Sequence, residues 1–497
     1  MKIIENKQFF MKKVGRLLSS PVFLGTLLCA VLVGSQLFGR NALGYGDNGG
    51  FERTLLSNGV FALKGQDYLG SFTPKYGLLQ YFNENQPAFF SSQGLFIQCA
   101  IWLNKLFYSQ SVFDLRFLGF IYYCCYLVAL ALLLAALTQG KRNWKSYSLA
   151  ALVVIILSDA ANVLNLNSFY PEAVTLITIV AVFASFLWLL RPNLRQRWLV
   201  LGYYLLNLAL LLTAKEQNIF LLVGVVMMTV AVIGVTVNKK RRLILLLTLT
   251  LVVAISGGTF VKNVTQNQNV LKYSAVTKGV FAGHSGRTRS LQHAQISKQY
   301  VLMTGEDYYP TEFVSLAPNS RQVKRDFVKR IHYSWIIKHY LIHPGQLHSL
   351  LDVAGGNLMQ TRVKGVGNYL PGKHQSGTQT RGWAWFSFWF ERVYPTKFAF
   401  NLMLAVVLVL VYSAGFYNDR KKGSAIGWLK LVLMTGMLLN VLLLPVGVII
   451  LQGSMNLAQS LLPAALSLQL VLLLLLSDIL NGSLWSSQKD IENEREQ

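Results

Sequence analysis

Apolar residues gather in ten long runs along the chain: 21–39, 117–138, 147–161, 169–190, 198–213, 218–237, 243–261, 398–416, 426–450 and 459–479. A helix needs roughly 20 residues to cross the hydrocarbon core, where no water is present to satisfy its backbone. The runs predict an all-α polytopic membrane protein of about ten transmembrane helices. The third and fifth runs are the shortest.

The polar connections test that count. Lys141 to Lys145 joins spans two and three, Arg191 to Arg197 joins four and five, Lys239 to Arg242 joins six and seven, and Arg420 to Lys422 joins eight and nine. The N-terminus is basic too, with Lys2, Lys7, Lys12, Lys13 and Arg16. The intervening short connections, 162–168, 214–217 and 451–458, hold one basic residue, Lys215. A multi-pass protein of the plasma membrane is expected, and the positive-inside rule places both its termini in the cytoplasm. The first run is followed by Gly39-Arg40-Asn41 rather than a small-residue cleavage site, so it is expected to be a retained span.

Two long connections fall on the outer side. Within 40–116, the segments from Phe51 to Leu56 and from Gln93 to Phe107 are apolar on one face and polar on the other, as interfacial helices are. The second connection divides the chain into an N-terminal module (1–261), an extracytoplasmic, mostly helical domain (262–397), three C-terminal spans (398–480) and a cytoplasmic tail (481–497). Residues 321–342 read as one helix ended or kinked by Pro344, with a basic face opposite an aromatic one.

Composition agrees with a membrane protein. Of 497 residues, 53% are hydrophobic and 13% charged, half the usual charged share, which excludes a soluble or disordered chain. Four cysteines without CxxC or His/Cys spacing exclude a disulfide framework and a zinc site. The net charge of +25 is partly topological. However, residues 263–397 carry 17 Lys and Arg against 6 Asp and Glu, and long loops cross the membrane regardless of charge. That surplus points to an anionic partner or to lipid headgroups. Nucleic acid is not expected on this face.

Candidate chemistry collects on the outer side. Asp47 lies in a glycine-rich stretch followed by Glu52; it either caps the next helix or serves as a general base toward a hydroxyl. Lys75-Tyr76 offers a point charge for a phosphate or an interfacial pair. Asp159 ends span three. Asn167, Tyr170 and Glu172 stand at the start of span four, with Glu172 about one turn inside, where a carboxylate is costly unless paired or hydrated. Lys215, Glu216 and Gln217 turn between spans five and six, and an isolated outer lysine there is expected to meet an anion. Arg325, Lys329 and His343 belong to the outer domain.

The layout resembles the GT-C superfamily of membrane glycosyltransferases, which use polyprenyl-phosphate sugars as donors. The likeness lies in Asp47 soon after span one, the interfacial part 51–107, and the motifs Asn167-Ser168-Phe169-Tyr170-Pro171-Glu172, Thr213-Ala214-Lys215-Glu216-Gln217, Lys75-Tyr76-Gly77 and Tyr340-Leu341-Ile342-His343-Pro344. Within that group the motifs look like those of WsfD-like hexose transferases acting on bacterial surface glycans. The resemblance implies sugar transfer to an anionic surface polymer, such as a teichoic acid, or to a glycolipid. Asp47 would be the base and Glu172 a second catalytic acidic group. Lys75, Lys215, Arg325 and Lys329 would hold the donor phosphate. Glu52, Tyr76, Asp159, Asn167, Tyr170, Glu216, Gln217 and His343 would contact substrate. It requires no cofactor and admits a divalent cation, Mg or Mn. Two departures stand out: Asn48 follows Asp47 where many members pair two acidic residues, and the large domain lies between spans seven and eight. A flippase for lipid-linked oligosaccharide and a polysaccharide polymerase or ligase are the alternatives.

Overall fold

The computed structural model describes residues 18–66, 68–79, 90–191, 194, 196–236, 238–283, 296–309, 317–422 and 424–484. The basic N-terminal start and the tail beyond 484 lie outside them.

Nine described helices are long and apolar enough to span: Pro21–Phe38, Leu115–Leu137, Glu172–Leu189, Arg197–Ala214, Glu216–Val235, Lys239–Gln266, Phe398–Lys421, Ile426–Gln452 and Leu462–Asn481. The tenth is the short third run. It is two pieces, Trp144–Leu157 and Ala160–Asn167, meeting at a bend of 52°. The break has a local cause. Asp159 turns its side chain onto the Ala161 amide at 2.9 Å and starts a new helix where the old one would have continued.

Span four is the hub. It is 94% buried and packs against spans two, five and ten. An all-round apolar helix of this kind belongs inside a bundle. Spans seven and eight are each 22% buried and leave their apolar flanks to lipid.

The first long loop contains the two expected interfacial helices, Glu52–Ser57 and Gln93–Phe107. The same loop holds a feature the hydropathy pattern did not reveal, a three-stranded antiparallel sheet: β1 (Val60–Phe61) and β2 (Lys75–Leu78) between the two helices and β3 (Val112–Asp114) after the second. Gln93–Phe107 is pinned to the end of span five by its own start: Ser91 Oγ donates to Ala214 O at 2.6 Å and Ser92 Oγ to Leu210 O at 2.8 Å.

The stretch 321–342 is not one helix. It comprises Arg321–Asp326, a 3₁₀ turn at Val328–Arg330, an extended break at Ile331 and His332, and Tyr333–Ile342. The break lets Phe327, Val328 and Ile331 all bury, with Phe327 stacked on Tyr300 at 4.9 Å. The last piece does end just before Pro344, as expected, and Pro344 also opens the following helix, Pro344–Asn357, from its first turn. Farther on, Trp385–Val393 exposes Trp385, Trp389 and Val393, three positions four residues apart on one face. That is the stripe of an interfacial helix.

The outer segment is sewn to the first loop by main-chain bonds. Gly44 N–H donates to Asn368 O (3.2 Å), Gly46 N–H to Gly367 O (3.1 Å), Phe72 N–H to Tyr369 O (2.9 Å), and Gly367 and Gly377 N–H both to Gly70 O (3.0 and 2.7 Å). At the edge of this seam Gly44 also packs tightly against Phe72 and the start of span four. A Cβ there would lie 2.4 Å from both Asn167 O and the Phe72 ring. Gly44→Ala is therefore expected to cost about 1–3 kcal/mol, read as a lowered Tm of the detergent-purified protein.

Candidate functional site

Asp47 sits where the seam begins. Its Oδ1 accepts the Gly49 amide at 2.8 Å and the Phe51 amide at 3.0 Å, so the side chain caps the turn into Glu52–Ser57. Partial burial raises its pKa above the ordinary 3.8, and the amides of Phe51, Gly49 and Gly50 oppose that rise. Asp47 thus closes the turn ahead of the helix, whose own N-cap position is Phe51 and has no side-chain cap, and burial leaves the carboxylate with a raised proton affinity.

The start of span four grips the same turn. Tyr170 Oη donates to Gly46 O and accepts the Asn48 amide, both at 3.0 Å. Its ring meets Phe51 edge-on at 4.5 Å, and Phe169 meets Tyr76 at 5.0 Å. Asn167 Nδ2 donates to Leu37 O and Leu43 O, each at 2.9 Å, tying the end of span one to the chain before Asp47. The ionisation of Tyr170 is opposed by burial first, then by the nearby charges of Asp47 and Glu172. The motif around Asn167–Glu172 and the one around Asp47 are therefore a single construction.

Glu172 is the first residue of its helix, not a turn inside it. It is 3% exposed, and its Oε1 receives Lys215 Nζ at 2.6 Å. The isolated outer lysine does meet an anion, and the anion is supplied by the chain itself. Each charge also suits its backbone position: Glu172 lies in a helix first turn and Lys215 is the C-cap of span five. Glu172 Oε2 is buried without a hydrogen-bond partner.

Other expected residues lie apart. Lys75 is exposed on β2, while Tyr76 beside it is buried. Glu52 is exposed. Gln217 Nε2 donates to Gln452 Oε1 at 2.6 Å, joining spans six and nine, and Glu216 is buried near Tyr333 of the outer segment. Asp159 Oδ2 accepts the Ser387 amide at 2.9 Å and anchors the interfacial helix Trp385–Val393. His343 stacks on His339 with ring centroids 4.5 Å apart. Arg325 pairs with the adjacent Asp326 at 2.8 Å on the surface, and Lys329 is exposed nearby. None of these bonds to the Asp47 turn. Among the described residues no three His, Cys, Asp or Glu side chains gather around one ion position. With Glu52 exposed and Oδ1 of Asp47 engaged by amides, these side chains do not form a protein cage for Mg or Mn.

Two features escaped the sequence reading. Arg362 lies close enough to Tyr45 and Asp159 to act electrostatically on both. The opposite, basic end of the bundle holds more than topological charge. Asp478, 2% exposed, accepts from Lys430 Nζ at 2.8 Å, Tyr412 Oη at 2.9 Å and Ser483 Oγ at 2.7 Å. A lone aspartate after five leucines was the available signal.

These features define a multi-pass membrane protein with one loop-covered end built around a fixed carboxylate. The chain belongs to the family described as the YfdI N-terminal transmembrane domain, which matches residues 5–497 and so takes in the long outer segment as well as the spans. No curated protein and no solved structure matches it.

Proposed function

We propose that the protein is a membrane glycosyltransferase that moves a sugar from a polyprenyl-phosphate donor to a cell-surface glycan on the outer face of the membrane. The observation that carries this reading is Asp47, a rigid carboxylate of raised proton affinity at the bilayer surface, clamped by Tyr170. The family's association with cell-surface glycan modification supports it. In the reaction, Asp47 takes the proton of the acceptor hydroxyl as its oxygen bonds to the anomeric carbon. The bond from that carbon to the phosphate oxygen breaks, and polyprenyl phosphate leaves with the electron pair. The free Oε2 of Glu172 offers a buried acceptor for a sugar hydroxyl. Lys215 neutralises Glu172 and is thereby less available as the phosphate holder than the sequence suggested.

Reconstitution in vesicles with a polyprenyl-phosphate sugar tests the reading, with transfer followed against pH. A base must be ionised to accept a proton, and burial raises the pKa of Asp47. Transfer is therefore expected to fall on acidification, with a midpoint above 3.8, the ordinary value for aspartate. An acid limb at or below that value would remove Asp47 from the role.

A further inference from the structure

Residues 353–390 contain no Asp or Glu. In their midst lies an open cleft of ≈ 830 Å³, lined by Arg362, Lys364, Tyr369, His374, Gln379 and Arg381 with intervening glycines. Its charged lining is wholly cationic. Its volume exceeds what one phosphate fills and suits a phosphate with an attached sugar or polyol.

The cleft is a built structure. Gln379 Nε2 donates to Val363 O at 2.5 Å and to Val366 O at 2.9 Å, and Asn368 Oδ1 accepts the Thr380 amide at 3.1 Å. The rings of Tyr369 and His374 lie 3.9 Å apart and form an aromatic platform within the lining. Gly365 and Gly377, both at positive φ, would meet nothing within 4 Å if they carried a Cβ, so the backbone itself is approachable there. At the rim, Trp383 holds φ at 63°, a costly conformation for an aromatic residue, while its carbonyl accepts the Ala160 amide at 2.9 Å. The cleft also shares a wall with the candidate site. Gly367, between lining residues Gly365 and Tyr369, accepts from Gly46, the residue before Asp47.

We infer that this cleft binds a phosphodiester-bearing polyol or glycan chain and presents it to the Asp47 turn. It rests on the sugar-transfer reading only in making that chain the acceptor. In the basic patch at 321–330, by contrast, Arg325 is paired with Asp326.

The test uses the full chain in phosphatidylcholine nanodiscs and a fluorescent, soluble glycerol-phosphate oligomer as probe. Binding is expected to be salt-sensitive and unaffected by neutral dextran. The double variant Lys364→Gln/Arg381→Gln should weaken it about tenfold, while the exposed pair Lys298→Gln/Lys338→Gln should leave it within about twofold. Equal binding by the first double variant, or none by the native protein, overturns the inference. A third arm adds phosphatidylglycerol to the nanodiscs. If those headgroups displace the oligomer and the displacement is lost in Lys364→Gln/Arg381→Gln, the cleft is a lipid-headgroup site and the polymer assignment falls. If native protein binds the oligomer but transfers no sugar, the transfer reading fails and the binding site stands.

Discussion

Asp47→Asn will reduce sugar transfer by about 10²- to 10⁴-fold while leaving the protein folded, the range expected for loss of a positioned general base. The amide keeps an Oδ1 acceptor for the Gly49 and Phe51 amides, so the turn into Glu52–Ser57 persists. Only the capacity to take a proton is removed. Asp47→Ala removes the cap as well, adding a stability cost of about 1 kcal/mol. Glu52→Gln should change transfer little, because Glu52 is exposed one residue beyond the capped turn. The measurement is the initial transfer rate in vesicles alongside the Tm. Asp47→Asn with native rates would show that the carboxylate only caps.

Lys215→Met should produce the largest loss of stability, about 3–5 kcal/mol, because it leaves the 3%-exposed Glu172 charged and unpaired. The double variant Glu172→Gln/Lys215→Met should recover most of that loss, since the cost lies in the orphaned charge rather than in the missing attraction. The helix first turn beneath Glu172 favours a negative charge by about 0.3–1 kcal/mol, too little to replace the lysine. Thermal unfolding in detergent reads both changes. A Lys215→Met protein that melts with the native one would show that this pair contributes nothing to holding spans four and five together.

Much of the architecture was legible because a bilayer imposes strong rules. Among the described residues nine of the ten apolar runs form helices long and apolar enough to span and the remaining run forms a bent pair, and the two helices expected in the first loop formed where their amphipathic patterns placed them. What escaped was local or distant. Strands of two to four residues are too short to show alternation, so Lys75 on β2 could not be seen as part of a sheet. The continuity of residues 321–342 failed because burial of Phe327, Val328 and Ile331 outweighed a helical charge pattern. The residues proposed for the site divide in the same way. Asn167 and Tyr170 hold the chain around Asp47 through contacts such as Tyr170 to Gly46, 124 positions apart, and Glu172 beside Tyr170 pairs with Lys215, which no spacing rule encodes. Arg325, Lys329 and His343 entered through charge and motif alone, and the fold holds them elsewhere.

The seam between residues 44–46 and 367–377 has a consequence for how the protein is made. Its two edges are more than 300 residues apart. At ribosomal rates of 5–20 residues per second, the first edge waits on the order of tens of seconds for its partner. During that interval the Gly44 and Gly46 amides lack their native acceptors, and the turn carrying Asp47 has no finished wall beside it. A nascent chain stalled before residue 367 would hold seven spans in the bilayer and still lack an assembled site. The outer end would thus be completed late in synthesis, after the ribosome has passed the long outer segment, and partial translation products would carry the Asp47 turn without its wall.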